Sequence, residues 1–252
     1  MTFGALCAQG AEVTAQAVVL TVQGPVTMVM KDGTTAVMKA GDKLSVGTVI
    51  TTGPSGAADI QVFNGAVATI RPDSTCNLEK LSVTTSGGVV TKQTALLDLK
   101  VGTIASNIDP ANHNINDYGI RTPKGVAAAR GTAYTVNVTS NGRTQVFVSS
   151  SAITFTVTTM VNGQPVTTSQ TVPAGSQITV SGTGVVTVVP LTGAALEDAK
   201  EQGKPVNKEN APNVTVTPTG NNNNSGNDTD KGNNPALLIL DTVSPSGSSR
   251  TQ

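Results

Sequence analysis

The sequence predicts an all-β domain: an irregular sandwich, roll or solenoid-like arrangement of short strands joined by glycine turns. Thr and Val are abundant, and both residue types favour strands. Asp-Gly and Asn-Gly dipeptides recur between short runs in which apolar and polar side chains alternate. Helix signals are nearly absent before Leu191. Together these three observations favour many short strands over a helical or mixed fold.

The predicted β domain extends from Ala17 to about Pro190, and most of its strands occur as hairpins. Each predicted hairpin has a glycine turn between two short strands, because Asn-Gly and Asp-Gly adopt the positive φ angles that tight turns require. The predicted hairpins are 26–38 around Lys31-Asp32-Gly33, 59–70 around Asn64-Gly65, 133–148 around Asn141-Gly142, and 153–172 around Asn162-Gly163.

The stretch from Arg121 to Val138 predicts a tight corner followed by a strand. Thr122 should be extended because it precedes Pro123, and Gly131 permits a close backbone approach. After Thr132 the side chains alternate, with Tyr134, Val136 and Val138 predicted on the buried face. The guanidinium of Arg130 could cap carbonyl groups or a carboxylate at this corner, and this structural role is favoured over contact with a ligand.

The N-terminal segment 1–16 is expected to lie outside the domain. Ala8-Gln9-Gly10 is similar to the cleavage end of a secretory leader whose basic and apolar parts are missing, and an ordinary disordered start is the alternative. Cys7 would be removed with such a leader. Cys76 would then be a lone, buried, small apolar residue, so no disulfide is predicted.

The C-terminal region changes character after Pro190. Residues 191–203 contain good helix formers and predict one short helix. Residues 204–252 are rich in Asn, Gly and Pro and predict a disordered tail, so deletion of this tail is expected to leave the domain folded. The tail contains one apolar patch, 235–241, which could add as a strand to an open sheet edge or could be inert. The predicted partner contacts in it are Leu237, Leu238, Ile239 and Leu240.

Composition argues against several classes of function. Sixteen basic and sixteen acidic residues balance, so the basic surface typical of nucleic-acid binders is not expected. No apolar run is long enough for a transmembrane helix. One histidine and two cysteines are too few for a zinc site of the usual spacing, so no metal or other cofactor is predicted.

No catalytic constellation is found, and the chain is predicted not to be an enzyme. A nucleophile triad needs a histidine base, but His113 lies in a polar segment typical of a solvated loop. Paired carboxylates for glycoside hydrolysis would come from acids that are expected mostly in turns or on outward strand positions. These acids are Asp59, Asp73, Glu79, Asp98, Asp109 and Asp117.

In order and spacing, a set of short motifs between Val18 and Val138 resembles the FecR-type domain, a β-rich module of bacterial envelope and secreted proteins. The resemblance extends more loosely to Val180. Its motifs are Gln23-Gly24-Pro25, Gly41-Asp42, Thr51-Thr52-Gly53, Asn64-Gly65, Arg71-Pro72-Asp73-Ser74, Val101-Gly102, and the closing segment Ile120–Thr132. The residues that carry the motifs are Gly24, Gly41, Asp42, Thr52, Gly53, Gly102, Thr122, Pro123, Arg130, Gly131 and Thr132.

The resemblance implies a periplasmic, secreted or cell-surface β module. The iron-transport regulators of this family carry a sigma-factor-binding segment and a transmembrane helix ahead of the domain, and neither is found in this sequence. Their relay role is therefore not carried over. The expected function is non-catalytic, in protein interaction or envelope structure, with a protein partner whose identity the sequence does not reveal.

Two alternatives remain open at this stage. One is a regulatory sensor module of cell-surface signalling, of the sigma and anti-sigma type. The other is a glycan-binding module in which Arg121, Lys124 and Arg130 form a small basic cluster, although a scattered set of solvated cations is the simpler interpretation.

Overall fold

The computed structural model describes residues 10–162 and 164–210, and these residues confirm the all-β class. The leader prediction for 1–9, including Cys7, lies outside the described residues. The same is true of the predicted tail from residue 211 onward, including Leu237–Leu240.

Strands account for most of the described chain, and one α-helix lies after the last strand. The strands are β1 Ala11–Thr14, β2 Ala17–Gln23, β3 Val26–Val29, β4 Thr35–Val37, β5 Lys43–Leu44, β6 Val49–Thr52, β7 Ala57–Phe63, β8 Ala66–Ile70, β9 Thr75–Ser86, β10 Val89–Ile108, β11 Asn116–Thr122, β12 Gly125–Ala129, β13 Ala133–Val138, β14 Thr144–Val148, β15 Ala152–Val161, β16 Gln164–Pro173, β17 Ser176–Val180 and β18 Val186–Pro190. The helix is α1 Gly193–Gln202, and short 3₁₀ turns cover Pro110–Asn112 and Lys208–Asn210.

The strands pair into two sheets that share β10. Sheet A has the order β4-β3-β6-β9-β10-β11-β12-β15-β16, with β1 also paired to β9. Sheet B has the order β5-β2-β7-β8-β10-β13-β14-β17-β18. Strand β10 pairs in sheet A up to Val101 and in sheet B from Gly102 onward. From β11 onward the chain forms one hairpin in sheet A, then one in sheet B, and then repeats the alternation.

The hairpin predictions are confirmed. Strands β3 and β4, β7 and β8, β13 and β14, and β15 and β16 form antiparallel pairs at the predicted turns. Local turn chemistry is sufficient for this result, because a two-strand hairpin needs only its own glycine turn and the alternation of its own side chains.

One continuous apolar core involves strands of both sheets. Phe63, Tyr118 and Tyr134 form a row of edge-to-face ring contacts in which successive centroids are 6.2 Å apart. The hydroxyl groups of both tyrosines are satisfied, since that of Tyr118 bonds to Ser106 Oγ at 2.8 Å and that of Tyr134 donates to the Ala127 carbonyl at 3.3 Å. Burial raises the pKa of both phenols, so both rings remain neutral.

The ends of the domain differ from the sequence expectation at two places. Residues 11–14, which the sequence analysis placed before the domain, form β1 along β9 although all four are exposed. Backbone pairing, rather than apolar burial, holds this strand, so side-chain pattern alone did not reveal it.

The second difference concerns residues 203–210, called here the strap. The sequence predicts disorder from Lys204 onward, but the strap lies ordered against the outer face of sheet B. The helix that precedes it, α1, falls within the predicted span 191–203. Thr135 alternates with the buried Tyr134 and Val136 and so belongs to the outward side of β13, but it is buried. Thr135 and residues of α1 line the same cleft on that face of the sheet.

Candidate functional site

Three motif residues form a hydrogen-bonded junction between the sheets. Thr52 Oγ1 donates to the Arg71 carbonyl at 2.6 Å and accepts from the Ser74 amide at 2.9 Å. The Ser74 hydroxyl oxygen accepts from the Thr103 amide at 2.9 Å. Gly102 adjoins this point with a φ of +98°, and a Cβ placed there would lie 2.2 Å from Ser74 Oγ. The junction therefore joins β6, the turn before β9, and β10 where it passes from sheet A to sheet B.

The remaining N-terminal motif residues lie at tight turns or where two backbone segments come close together. A Cβ on Gly24 would lie 2.3 Å from the Ser55 carbonyl oxygen, and the Gly53 amide donates to the Pro25 carbonyl at 2.9 Å. Asp42 Oδ2 accepts from the Lys39 amide at 2.8 Å, in a turn that Gly41 completes with a φ of +89°. These contacts are internal to the fold, so they provide structure rather than a binding surface.

Replacing Thr52 by Val should lower the free energy of unfolding by about 1–3 kcal/mol, because the Ser74 amide would be left buried without an acceptor. The neighbouring Thr51→Val is the matched control, since Thr51 lies on the same strand and is exposed. It should change stability by less than about 0.5 kcal/mol. Urea unfolding of both variants measures the difference, and equal effects would contradict the role assigned to Thr52.

The closing corner is organised differently from the prediction. Thr122 Oγ1 donates to the Gly125 carbonyl at 3.0 Å, around the exposed Pro123. Gly131 packs against Pro110, and a Cβ on Gly131 would lie 2.6 Å from the Pro110 Cα. Thr132 Oγ1 donates to the Ser150 carbonyl.

Arg130 was expected to organise this corner, but it is exposed. It makes no hydrogen bond or ion pair to another residue of the described part of the chain. The small glycine and the threonine hydroxyl hold the corner, and the capping role predicted for Arg130 is not seen among the described residues.

The predicted basic cluster is divided between separate contacts. Arg121 forms an ion pair with Glu79, whereas Lys124 Nζ donates to the Gly182 carbonyl at 2.7 Å. Arg130 shares neither contact. The three cations therefore do not converge on one anion position through these contacts, which removes the observation that had favoured a glycan site.

His113 and Cys76 are the two described residues whose side chains were considered for nucleophilic chemistry or metal binding. His113 is exposed, and its Nδ1 lies 3.0 Å from the Pro110 carbonyl oxygen. Cys76 is a free, buried cysteine, as predicted, and burial raises the pKa of its thiol, which keeps it protonated and unreactive. Within the described residues no cluster of metal-ligating side chains occurs.

The environment of Asp59 differs from the sequence expectation. It was expected at an outward strand position, and it does point away from the core of sheet B, but the strap buries it completely. Its Oδ1 accepts from Thr69 Oγ1 at 2.7 Å and from the Val206 amide at 2.9 Å. Its Oδ2 accepts from the Asn207 amide at 2.9 Å and from Asn210 Nδ2 at 2.8 Å. The carboxylate therefore has four donors, and three of them, from Val206, Asn207 and Asn210, anchor the strap.

Arg71 completes the anchoring of the strap. Its guanidinium donates to the carbonyl groups of Gln202, at 2.9 Å, and of Lys204. A cation at this position also interacts favourably with the C-terminal, negative end of the α1 dipole. Asn107 Nδ2 donates to the Gly203 carbonyl at 3.1 Å. The strap therefore lies beside β2 and β7 at Asn210, whose Nδ2 also donates to Thr21 Oγ1 at 2.8 Å.

The far end of both sheets is open. Strands β16 and β18 are edge strands in the described chain, since each pairs with one neighbour only. Between them lies a groove of about 500 Å³ lined by Phe155, Val157, Thr168, Gln170, Ile178, Gly184, Val186 and Val188. None of these residues is charged. This open end is the candidate site for contact with a partner.

One family model matches part of the chain. Residues 48–154 match the family model described as FecR protein. Two crystal structures of a candidate anti-sigma factor from Parabacteroides distasonis ATCC 8503, at 2.50 and 1.65 Å resolution, resemble the chain with a TM-score of 0.43 and 12% sequence identity over 56% of this chain. The chain spans 59% of the length of that protein. No curated protein matches the chain. None of the helices among the described residues is long and apolar enough to cross a membrane.

Proposed function

We propose that this chain is a non-catalytic module that binds another protein in the bacterial periplasm or at the cell surface. The match of residues 48–154 to the FecR family model supports this proposal. The observation that carries the proposal is the open end of the sandwich, where a valine-rich edge strand and an uncharged groove lie exposed. Soluble monomers rarely expose large contiguous apolar patches, so exposed apolar surface of this kind is typical of interaction sites.

A regulatory role is the second candidate. The match of residues 48–154 to the FecR model supports it, because the family that the sequence resembles includes iron-transport regulators that carry such a domain. In that role the same open end would contact a receptor or an anti-sigma protein. The two candidates share the contact surface and differ only in the identity of the partner.

Photo-crosslinking in the source bacterium tests the proposal. A photoreactive amino acid at Thr187, in β18, should give an adduct with one polypeptide in the envelope or secreted fraction. The same group at Thr51, which is exposed on β6, is the control and should give none. Recovery of the chain in the cytoplasmic fraction, or adducts equal at both positions, would contradict the proposal. An adduct with a receptor or an anti-sigma protein would select the regulatory role.

A further inference from the structure

The open end of the domain belongs to a segment without charged side chains. From Thr144 to Leu196 the sequence contains no Asp, Glu, Lys or Arg, although charged residues make up 13% of the whole chain. All of β14 to β18 lie in this segment. Soluble proteins usually protect sheet edges with charges, and lysine above all. The edges of β16 and β18 lack that protection.

Exposed valines concentrate on β18 and the residue before it. Val185 is 63% exposed, and Val186, Val188 and Val189 are 36–43% exposed. Val186 and Val188 line the groove, whose floor includes the buried Phe155 and Ile178. Thr187 and Val189 alternate with them and face the other side of the sheet. A partner that covers this strand would therefore remove both a row of valines and the groove from water.

The alternation of hydrogen bonds between β17 and β18 shows which backbone groups of β18 have no partner strand among the described residues. The Leu191 amide donates to the Gly175 carbonyl at 2.8 Å, and the Ser181 amide donates to the Val185 carbonyl at 2.9 Å. In an antiparallel pair the bonded positions repeat every second residue, so 185, 187, 189 and 191 turn their backbone groups toward β17. The amides and carbonyls of Val186 and Val188 consequently point away from the sheet, where no described strand pairs with them.

We propose that the free edge of β18 binds an extended, uncharged, aliphatic segment of a partner polypeptide by β-strand addition. This inference rests on the proposed function and specifies its mode. Backbone groups aimed outward favour a polypeptide over a lipid or a glycan, since only another strand satisfies them in register. The uncharged lining favours aliphatic side chains, because a charge placed in this groove would lose its hydration without gaining a counter-charge.

Pro190 limits the length of the added strand. Like those of Val188, the backbone groups of Pro190 point away from β17, but proline has no N–H to donate. The free donors are thus the amides of Val186 and Val188, and the acceptors are the carbonyls of Val186, Val188 and Pro190. A partner segment of about five residues would satisfy this edge, and its alternate side chains would enter the groove.

A binding experiment on the full chain tests the mode. The probe is a fluorescent seven-residue peptide of alternating threonine and valine, compared with the same peptide carrying aspartate at its central position. The wild-type chain should bind only the uncharged peptide, and amide exchange at Val186 and Val188 should slow when it binds. Exchange at Thr187 and Val189 should stay slow throughout, because their amides already pair with β17.

Variants of Val188 separate strand addition from other modes. Val188→Pro removes an outward donor without breaking a bond to β17 and should weaken peptide binding by about tenfold or more. Val188→Asp keeps the donor and puts a charge in the groove, and it should weaken binding similarly even if the proline variant unfolds. Val37→Asp, at an exposed valine on the edge strand β4, is the control and should bind like wild type.

Three results would overturn the inference. They are unchanged binding in folded Val188→Pro and Val188→Asp variants, binding of lipid vesicles or polysaccharide instead of the peptide, and a dimer that Val188→Pro dissociates without any peptide binding. If the Thr187 crosslink to a polypeptide persists in those variants, strand addition is wrong while the proposed function stands. If no polypeptide crosslinks at Thr187, the proposed function itself fails.

Discussion

Replacing Gly102 by Ala should lower the free energy of unfolding by about 4 kcal/mol or more, enough to prevent folding at growth temperature. A Cβ at this position would lie 2.2 Å from Ser74 Oγ and 2.4 Å from Ser74 Cα. The second contact involves backbone, so no change of rotamer relieves it. Gly102 also has a φ of +98°, a conformation that side chains rarely adopt.

Gly41→Ala is the matched control for this prediction. Gly41 has a similar φ of +89°, but a Cβ there would meet nothing within 4 Å. The control should cost about 1–2 kcal/mol, which is the penalty for the backbone conformation alone. Urea unfolding followed by circular dichroism measures both variants. Equal losses would show that the overlap with Ser74 is relieved, and that the junction between the sheets is not tightly packed.

The hairpins could be predicted from the sequence because the information for each is local. Asn64-Gly65 is enough to join β7 to β8, and the alternation of Tyr134, Val136 and Val138 is enough to orient β13. The family resemblance also located Thr52 and Gly102, but only the structure shows that both adjoin Ser74. Their proximity depends on β10 crossing between sheets, which no local pattern encodes.

The candidate sites were harder to predict, because they depend on long-range pairing. The uncharged run from Thr144 to Leu196 is visible in the sequence, but the edge position of β18 follows only from the order of the strands. Asp59 looked like an ordinary outward acid. Its burial depends on Asn207, a residue 148 positions later in the chain. The composition of 204–210 favoured disorder because the three donors that this segment gives to one carboxylate leave no mark on hydropathy.

A chain that ends at Asn210 should unfold at the same temperature as the full chain, whereas a chain that ends at Gly203 should be about 2–4 kcal/mol less stable. The shorter chain loses three of the four donors to Asp59, namely the amides of Val206 and Asn207 and the side chain of Asn210. Water replaces some of these bonds, so the loss is smaller than that for an unpaired buried charge. Thermal unfolding should place the two midpoints about 4–16 °C apart.

Asp59→Ala distinguishes the anchoring carboxylate from general packing by the strap. In the chain that ends at Asn210 this substitution should cost about 3 kcal/mol, because it leaves the strap amides without an acceptor. In the chain that ends at Gly203 it should cost much less, since only the bond from Thr69 remains. The difference between the two costs is the coupling between Asp59 and the strap, expected at about 1–3 kcal/mol. A coupling near zero would mean that the contacts of Arg71, Asn107 and Thr21 hold the strap and that Asp59 does not anchor it.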